Sequence, residues 1–280
     1  MDVPREQTRA RLEPDEPPPF EIVNRGGRSR FVLTCEHASA IVPRALGDLG
    51  VPEAERRRHI GWDIGAAVVA RQLSALIDAP LAMSGYSRLA IDCNRRPGGR
   101  ESIPEISETT PIPGNVGIDK GEAEARAEAL FWPYHEALHE LLEARVATVP
   151  VMIAVHSFTP VYHGEQRPWD VGITYRHDPR LAKLMIRELE NEAGLCVGEN
   201  QPYPVDLDID YAVPVHAERR GIPHGLIEMR HDCIETDGGC HAWAERLARV
   251  VEAVSHDPMI ARSIAPARDV VEPRLPIGES

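Results

Sequence analysis

The sequence predicts an α/β fold in which helices cover both faces of a central sheet. Three apolar runs, at residues 31–35, 151–155 and 225–227, lack the polar alternation of a half-exposed strand. Such runs are typical of strands that are buried on both faces. Amphipathic helical patterns, for example at residues 64–77, lie between them. The combination of buried strands and amphipathic helices indicates an α/β architecture.

Each of the three predicted strands carries charged or titratable residues to its end. Glu36 and His37 follow the first run, His156 ends the second, and Glu228 and Arg230 belong to the third. Ligands of α/β sheets bind in the crevice at the ends of the strands. We therefore expect these side chains to converge, and we interpret the crevice as a metal-dependent hydrolase site.

The other elements follow in chain order. Asp63 lies at the start of the helix at 64–77. Asp119 and Glu122 resemble a capping box before a long helix that contains Pro133. Further patterns predict strands at 80–83 and 169–175 and helices at 178–194, 211–220 and 239–256.

Composition and charge exclude several classes of protein. The chain has 280 residues, 42% hydrophobic content and a formal net charge of −13. An acidic surface disfavours binding to nucleic acid or to anionic membranes. No run approaches the roughly 18 apolar residues of a membrane span. Five cysteines without paired short spacing indicate neither a disulfide framework nor a CxxC zinc site, which favours a cytoplasmic location.

One catalytic domain is predicted between two less regular ends. Residues 1–19 are charged and proline-rich and lack the apolar core of a signal peptide, so we expect a flexible arm. No linker or internal repeat interrupts residues 20–265, which we interpret as a single domain. Residues 266–280 are expected to form a proline-rich tail.

His37 and His156 occupy matching positions at strand ends, and imidazole suits zinc or another divalent transition metal. A single strand-end histidine is often only a hydrogen-bonded core residue, but two in matching contexts favour metal binding. Asp63 is the first choice for a third ligand, although it is also placed to cap a helix. Glu36 is the second choice. Neighbouring strand residues point to opposite faces, so Glu36 and His37 reach one ion only where the chain bends.

Glu228 is predicted to be the general base that takes a proton from a water held by the ion. A buried glutamate at a strand end needs a partner. Arg230 lies two residues further along the same strand face and is a candidate for that partner. The alternative is that the two residues form a purely structural ion pair.

A second group of polar residues is suited to binding an anion. Arg88, Asn94 and Arg95 lie close together in the sequence, with Asp92 between them. We expect Asn94 and Arg95 to hold a substrate carboxylate and Arg88 to stabilise an oxyanion. The alternative is a loop anchored by salt bridges, in which these residues have no contact with substrate.

A competing motif is His135-Glu-Ala-Leu-His139, which has the HExxH spacing of helical zinc peptidase sites. Its flanks are heavily charged, Pro133 lies just upstream, and Tyr134 and Leu138 already supply an apolar face. These features favour a solvated surface helix, and the peptidase remains an alternative hypothesis.

An ordered set of short motifs carries a family resemblance. The motifs are Glu36-His37-Ala-Ser, Gly61-Trp-Asp63-Ile-Gly-Ala, Ser87-Arg88-Leu-Ala-Ile-Asp92-Cys-Asn94-Arg95, Pro133-Tyr-His135, His156-Ser-Phe-Thr-Pro160, Asn200-Gln-Pro-Tyr203 and Glu228-Met-Arg230. This set resembles the signatures of the N-formylglutamate amidohydrolase family over residues 31–232. The resemblance implies a three-layer α/β/α fold with a mixed, mostly parallel sheet, similar to that of zinc-dependent exopeptidases of the phosphorylase/hydrolase type. The exopeptidase HxxE ligand pair is absent, because Ala40 stands where its glutamate would be.

The resemblance also implies a site and a reaction. The metal ligands would be His37, His156 and Asp63, the ion Zn²⁺ or another divalent transition metal, and His135 part of the scaffold. The expected substrate contacts are Ser87, Asn94, Arg95, Asn200, Tyr203 and Arg230. The implied reaction is hydrolysis of the amide of an N-formyl or N-acyl amino acid, a small anionic substrate, to a carboxylate and a free amino acid. A noncatalytic, metal-containing protein that binds small anions is the alternative from another class.

Overall fold

A computed structural model of the protein describes residues 12–99 and 101–270. Its main feature is a seven-stranded sheet, accompanied by two short hairpins. The strands are β1 (Phe20–Val23), β2 (Phe31–Cys35), β3 (Leu81–Ser84), β4 (Ile106–Ser107), β5 (Thr110–Pro111), β6 (Val151–Phe158), β7 (Val161–Tyr162), β8 (Glu165–Gln166), β9 (Val171–Thr174), β10 (Val197–Glu199) and β11 (His224–Arg230). All residues of β2 and β6 are buried, as their unbroken apolar runs predict.

The sheet is mixed and mostly parallel. Its order is β1-β3-β2-β6-β11-β9-β10, and β4-β5 and β7-β8 form the two hairpins. Strands β3, β2, β6 and β11 run parallel, as do β9 and β10, whereas β1 pairs with β3 and β9 pairs with β11 in the antiparallel sense. The three strands predicted to carry functional residues are therefore neighbours at the centre of the sheet.

Helices cover both faces, which gives three layers. The α-helices are α1 (Glu53–Arg56), α2 (Ala66–Leu76), α3 (Lys120–Arg126), α4 (Trp132–Glu143), α5 (Arg180–Glu190) and α6 (Asp237–Val254). One face of the sheet packs against α2, α5 and α6, and the other packs against α4 and the irregular helical turns at 213–220. The predicted three-layer α/β/α fold with a mixed, mostly parallel sheet is confirmed.

The register of the central strands aligns three charged side chains. Thr34 of β2 is opposite Ala154 of β6, so continuing this register places Glu36 opposite His156. On the other side of β6, Glu228 of β11 is paired with His156. Residues at one level of adjacent parallel strands point to the same face. Glu36, His156 and Glu228 therefore form a row beneath the layer that contains α4.

The long helix after residue 119 begins as its sequence predicts. The side chain of Asp119 accepts a hydrogen bond from the backbone N–H of Glu122, at 2.7 Å. The helix then passes through one π-helical turn, Ala127–Phe131, and continues as α4. Pro133 has no N–H to donate, and it stands at the second position of α4, directly after this wider turn. The proline is therefore accommodated where the helical hydrogen-bond pattern changes.

The chain ends are only partly described. The predicted arm at 1–19 is placed from Leu12 onwards, and Leu12 packs beside Ala267 and Val270 in one apolar cluster. The described part of the predicted tail, residues 266–270, thus contributes to the core. Residues 1–11 and 271–280 lie outside the described residues. Among the residues that the structure describes, none of the helices combines the length and the apolar content that a membrane span requires.

Candidate active site

Two imidazoles that are far apart in the sequence lie close together, one just after β2 and one near the carboxyl end of β6. The ring centroids of His37 and His156 are 5.0 Å apart, and both rings are buried. Strand β2 ends at Cys35, and Glu36 and His37 belong to a turn. This turn supplies the bend that lets consecutive residues 36 and 37 both face the same site.

Asp63 lies between the two histidines. Its Oδ2 is 2.8 Å from Nδ1 of His156 and 3.3 Å from Nδ1 of His37. Its backbone N–H donates to the carbonyl of His37, which ties the two segments together. Asp63 does not cap α2, because the N-cap is Gly65 in a left-handed conformation. At that glycine a Cβ would lie 2.2 Å from the carbonyl oxygen of Ile234.

A carboxylate also lies beside the second nitrogen of each imidazole. Nε2 of His37 is 2.7 Å from Oδ1 of Asp92. Nε2 of His156 is 2.9 Å from Oε2 of Glu36, an ion-pair contact whose angles are not those of a hydrogen bond. Tyr134 from α4 donates a hydrogen bond to the other oxygen of Glu36, at 2.9 Å. Because Asp92 and Glu36 contact the Nε2 atoms, the Nδ1 atoms of both histidines are directed at Asp63.

The charges in this cluster shift its pKa values strongly. Burial alone would raise the pKa of Asp63, but the adjacent His37 and His156 lower it below its usual range. Burial likewise opposes a lower pKa for Glu36, and the contact with His156 outweighs it and brings that pKa to about 2. Burial would lower the pKa of His156, yet Asp63 and Glu36 raise it well above its usual value. The two carboxylates therefore favour the protonated form of His156.

The donor set suits a divalent cation. The ligand atoms of His37, Asp63 and His156 all lie within 4.8 Å of one another. Bonds of about 2.0–2.1 Å to a tetrahedral zinc ion imply ligand atoms about 3.3 Å apart, close to the separations at Asp63. Histidine ligands of zinc commonly bind a carboxylate through their second nitrogen, as Asp92 and Glu36 are placed to do. A cation would also offset the surplus of buried carboxylates.

Glu228 lies beside this cluster and is buried, with only 3% of its surface exposed. Its Oε2 has no hydrogen-bond partner among the described residues. Burial raises the pKa of Glu228 to about 7, and the charge of Asp63 contributes in the same direction. A buried carboxylate with a free oxygen and a pKa near neutrality can both accept and return a proton.

The cluster and Glu228 line one cavity of about 20 Å³, roughly the room of a single water molecule. Its walls come from seven separate parts of the chain. The lining residues are His37, Asp63, Arg88, Asn94, Arg95, His156, Thr174, Tyr203, Pro204, Val205, Asp210, Leu226 and Glu228. Four further residues predicted for the site thus line the same cavity as the candidate metal ligands: Arg88, Asn94, Arg95 and Tyr203.

Arg88 bridges two of the carboxylates. Its guanidinium lies 2.7 Å from Oδ2 of Asp92 and 3.6 Å from Oδ1 of Asp63. Burial opposes the charge of Arg88, but these two carboxylates raise its pKa above the usual value. The side chain is therefore a permanent cation at the wall of the cavity.

Tyr203 reaches the cavity because its loop lies tightly against the sheet. In β9, a Cβ at Gly172 would lie 1.7 Å from the carbonyl oxygen of Gln201. Gly172 is paired in the sheet with Glu228. The absence of a side chain at residue 172 therefore lets the loop that contains Tyr203 approach the strand of Glu228.

Three predicted substrate contacts lie outside the cavity. Ser87 donates its hydroxyl hydrogen to the carbonyl of Gly61 and is fully buried in a turn. The side-chain oxygen of Asn200 accepts from the backbone of Tyr175. None of Ser87, Asn200 and Arg230 is among the residues that line the cavity. Ser87 and Asn200 instead hold the chain segments around the site.

The predicted pairing of Arg230 with Glu228 is wrong. The guanidinium of Arg230 lies 3.1 Å from Asp170 and 2.8 Å from Asp232. It also donates to the carbonyl of Pro168. Arg230 is the last residue of β11, where acidic groups of the adjacent loops lie nearer than the buried end of Glu228.

The HExxH motif does not form a site of its own. Nε2 of His135 donates to the carbonyl of Cys93 at 2.7 Å, so its Nδ1 accepts from Nε2 of His216 at 2.9 Å. His139 instead contacts Arg220. The expectation of a solvated helix holds for only one face of α4, because His135 is buried among aromatic rings that include Phe131.

The buried His135 predicts that acid destabilises the protein. Burial lowers its pKa to about 4, against about 6.5 for an exposed histidine. The unfolded chain therefore binds this proton first, and stability is lost as the pH falls from about 6.5 towards 4. The expected loss from this residue is about 3 kcal/mol. Urea unfolding at pH 7 and pH 4.5 measures it.

His135→Gln is the matched variant for that experiment, because glutamine retains a donor and an acceptor. We expect the variant to lose less free energy of unfolding between the two pH values than the original protein does. Equal losses in the two proteins would contradict a neutral, buried His135. A chelator in all samples keeps metal binding from contributing.

Some residues of the cavity were not predicted. Thr174 and Leu226 were missed although both lie on predicted strands, and Leu226 precedes Glu228 by two residues, which places it on the same strand face. Asp210 lies on no predicted strand, so no strand pattern indicated that it belongs to the site. It contacts Asn94 and Arg95 from more than a hundred residues away, and no local pattern reports a contact of that kind.

The match to a family model defines the class of this protein, which is that of the amidohydrolases. Residues 29–235 match the family model described as N-formylglutamate amidohydrolase. The chain belongs to the N-formylglutamate amidohydrolase family. The motifs that suggested this family all lie within the matched residues.

The solved structures that are similar to this chain include the following two. The gene product Atu2144 from Agrobacterium tumefaciens is 36% identical, with a TM-score of 0.84 over 87% of this chain and 98% of that chain. The N-formylglutamate amidohydrolase from Ralstonia eutropha JMP134 is 23% identical, with a TM-score of 0.60 over 85% of this chain and 97% of that chain. No curated protein matches the chain. The second structure shows that the fold is shared.

Proposed function

We propose that this protein is a metal-dependent enzyme that hydrolyses the amide of an N-formyl or N-acyl amino acid similar to N-formylglutamate. The products are a carboxylate and the free amino acid. One observation carries the proposal: His37, Asp63 and His156 present three ligand atoms to one point, beside a buried Glu228 with a free oxygen. The family and the relative from Ralstonia eutropha support the choice of substrate.

His37, Asp63 and His156 would hold the cation, with Zn²⁺ as the first candidate because of the nitrogen and oxygen donors. When bound, it would supply Lewis acidity, which polarises the acyl carbonyl and makes water more acidic. Glu36 fills a different role, since it contacts the outer nitrogen of His156 rather than the shared point. We therefore assign Asp63, not Glu36, as the third ligand.

Glu228 acts as the general base and then as the general acid. Its carboxylate accepts the proton of the attacking water while oxygen bonds to the acyl carbon. The same proton then passes to the amide nitrogen as the C–N bond breaks, so the amino acid leaves as an amine. Burial of Glu228 keeps bulk water away from this transfer.

Arg88 stabilises the oxyanion that develops on the acyl oxygen. Its guanidinium lines the cavity, and Asp92 and Asp63 hold it in place. A positioned cation in a site with little water stabilises developing negative charge more than the same cation in solvent. Asn94 and Arg95 offer the donors for a substrate carboxylate, and Tyr203 closes the cavity beside them.

A substrate panel with and without metal tests the function. We expect the purified protein to release formate from N-formyl-L-glutamate, to lose that activity after treatment with a chelator, and to regain it with Zn²⁺. N-acetyl-L-glutamate and N-formyl-L-methionine report the tolerance for the acyl group and the side chain. A metal-loaded protein that hydrolyses none of them would instead be a noncatalytic anion-binding relative. Full activity after verified metal removal would contradict metal dependence.

We also propose a cytoplasmic location. The cysteines at positions 35, 93, 196, 233 and 240 are all free, and three of them are buried. Proteins of oxidising compartments more often pair their cysteines. The proposed partner is the small anionic substrate rather than nucleic acid, in keeping with the net charge of −13.

A further inference from the structure

The donors expected to bind the substrate carboxylate already hold a carboxylate of the protein. Oδ1 of Asp210 accepts from Nδ2 of Asn94 at 3.1 Å and from the guanidinium of Arg95 at 2.8 Å. Its Oδ2 accepts from the backbone N–H of Asp206 at 2.9 Å. Only 12% of the Asp210 side chain is exposed. An amide and a guanidinium on one carboxylate oxygen form the contact that a substrate carboxylate would make.

The backbone next to Asp210, rather than its carboxylate, holds the side chain of Asn94 in place. The side-chain oxygen of Asn94 accepts from the backbone N–H groups of Tyr211 and Ala212 at 3.2 and 2.9 Å. The guanidinium of Arg95 has a second, weaker contact with Glu101, at 3.4 Å. Release of Asp210 would therefore leave Asn94 in a fixed orientation and Arg95 with most of its charge free for another anion.

Asp210 belongs to a segment that closes the cavity. Tyr203, Pro204, Val205 and Asp210 all line it, and the space that remains is about 20 Å³. An N-acyl amino acid is several times larger than the one water that fits such a volume. Entry of a substrate therefore requires that side chains of residues 203–210, which we call the closing segment, move away from Asn94 and Arg95.

We propose that Asp210 is a built-in occupant of the carboxylate subsite and that the substrate carboxylate displaces it. The proposal rests on the proposed function, because it requires a substrate with a carboxylate. Asp210 then determines specificity. A carboxylate restores the lost contacts of Asn94 and Arg95, whereas a neutral amide leaves the guanidinium without a counter-charge. Competition by Asp210 also lowers the apparent affinity for every substrate.

A purely structural Asp210 has the opposite consequence for binding. If Asp210 only oriented Arg95, loss of its charge would misplace the guanidinium and raise KM. If Asp210 competes with the substrate, loss of its charge lowers KM. The direction of the change in KM therefore separates the two roles.

Steady-state kinetics with N-formyl-L-glutamate measure that direction. We expect Asp210→Asn to lower KM about tenfold and to change kcat only slightly, since the variant keeps the shape of the side chain but weakens its bond to Arg95. Asp208→Asn is the matched control, because it removes the same charge from an exposed position in the same segment. It is expected to leave KM unchanged. An unchanged or raised KM in Asp210→Asn would overturn the proposal.

Hydrogen exchange on Glu228→Gln, which is expected to hydrolyse the ligand only slowly, gives a second measurement. The backbone N–H of Asp206 donates to Asp210, and that of Tyr211 donates to the carbonyl of Asn94. Displacement of Asp210 by saturating N-formyl-L-glutamate should accelerate exchange at Asp206. Binding of the ligand with unchanged or slower exchange at Asp206 would show that Asp210 stays in place.

Failure of the proposed function gives a different result. If the protein hydrolyses no N-acyl amino acid, the proposed function is wrong, but the occupancy of the carboxylate subsite by Asp210 can still be measured. Calorimetry with L-glutamate, a plain carboxylate ligand, then decides. Tighter binding to Asp210→Asn than to the original protein supports the displaced carboxylate, and equal or weaker binding overturns it.

Discussion

Replacement of Glu228 by glutamine is expected to lower kcat roughly 10²- to 10⁴-fold, the usual contribution of general acid–base catalysis. Glutamine keeps the size of the side chain but cannot accept the proton of the attacking water. Glu228 is not among the three ligand atoms that meet at one point, so the metal should remain bound. Turnover of N-formyl-L-glutamate and the metal content of the same samples measure both effects.

Glu252→Gln is the control, because Glu252 is exposed on α6 and is not among the residues that line the cavity. It should retain full activity. Unchanged turnover in Glu228→Gln would remove Glu228 from the mechanism. Loss of both the bound metal and the turnover would instead indicate that Glu228 is a metal ligand.

Loss of either strand-end histidine is expected to abolish tight metal binding. His37→Ala and His156→Ala each remove a nitrogen beside Asp63, and we expect the Kd for Zn²⁺ to rise more than 100-fold. That estimate exceeds the roughly 10- to 100-fold effect of removing a residue that only supports a ligand. Calorimetric titration of the metal-free proteins measures the change without reference to activity.

His139→Ala tests the competing HExxH motif. His139 contacts Arg220 and lies apart from the candidate site, so this variant should bind Zn²⁺ with unchanged affinity. His135→Ala should also bind the metal, although the loss of a buried side chain lowers its stability. Metal loss in either of these variants, with binding retained in His156→Ala, would favour the peptidase hypothesis.

The central strands could be predicted because their signal is local. An unbroken apolar run such as 31–35 indicates burial on both faces without knowledge of the neighbouring strands. The prediction that the ends of three such strands meet follows from general rules for α/β sheets. The row of Glu36, His156 and Glu228 needed the register between the strands, and register depends on long-range pairing that no single run contains.

The predictions for Arg230 and His135 differ from the structure for physical reasons. The two-residue strand period correctly places Arg230 on the face of Glu228, but β11 ends there and Asp170 in the neighbouring loop is closer. For His135, charged neighbours suggested exposure of the whole helix. In an amphipathic helix, however, one face is wet while the opposite face packs, and His135 lies on the packed face beside Leu138.

The pairing of β2 with β6 determines the distance between the imidazoles of His37 and His156. Strands in a sheet lie about 4.8 Å apart, a spacing that backbone hydrogen bonds maintain whatever the side chains are. His156 stands on β6 and His37 directly after β2, so their separation depends on main-chain geometry more than on loop sequence. Changes in the surrounding loops are therefore expected to leave the separation of the two imidazoles almost unchanged.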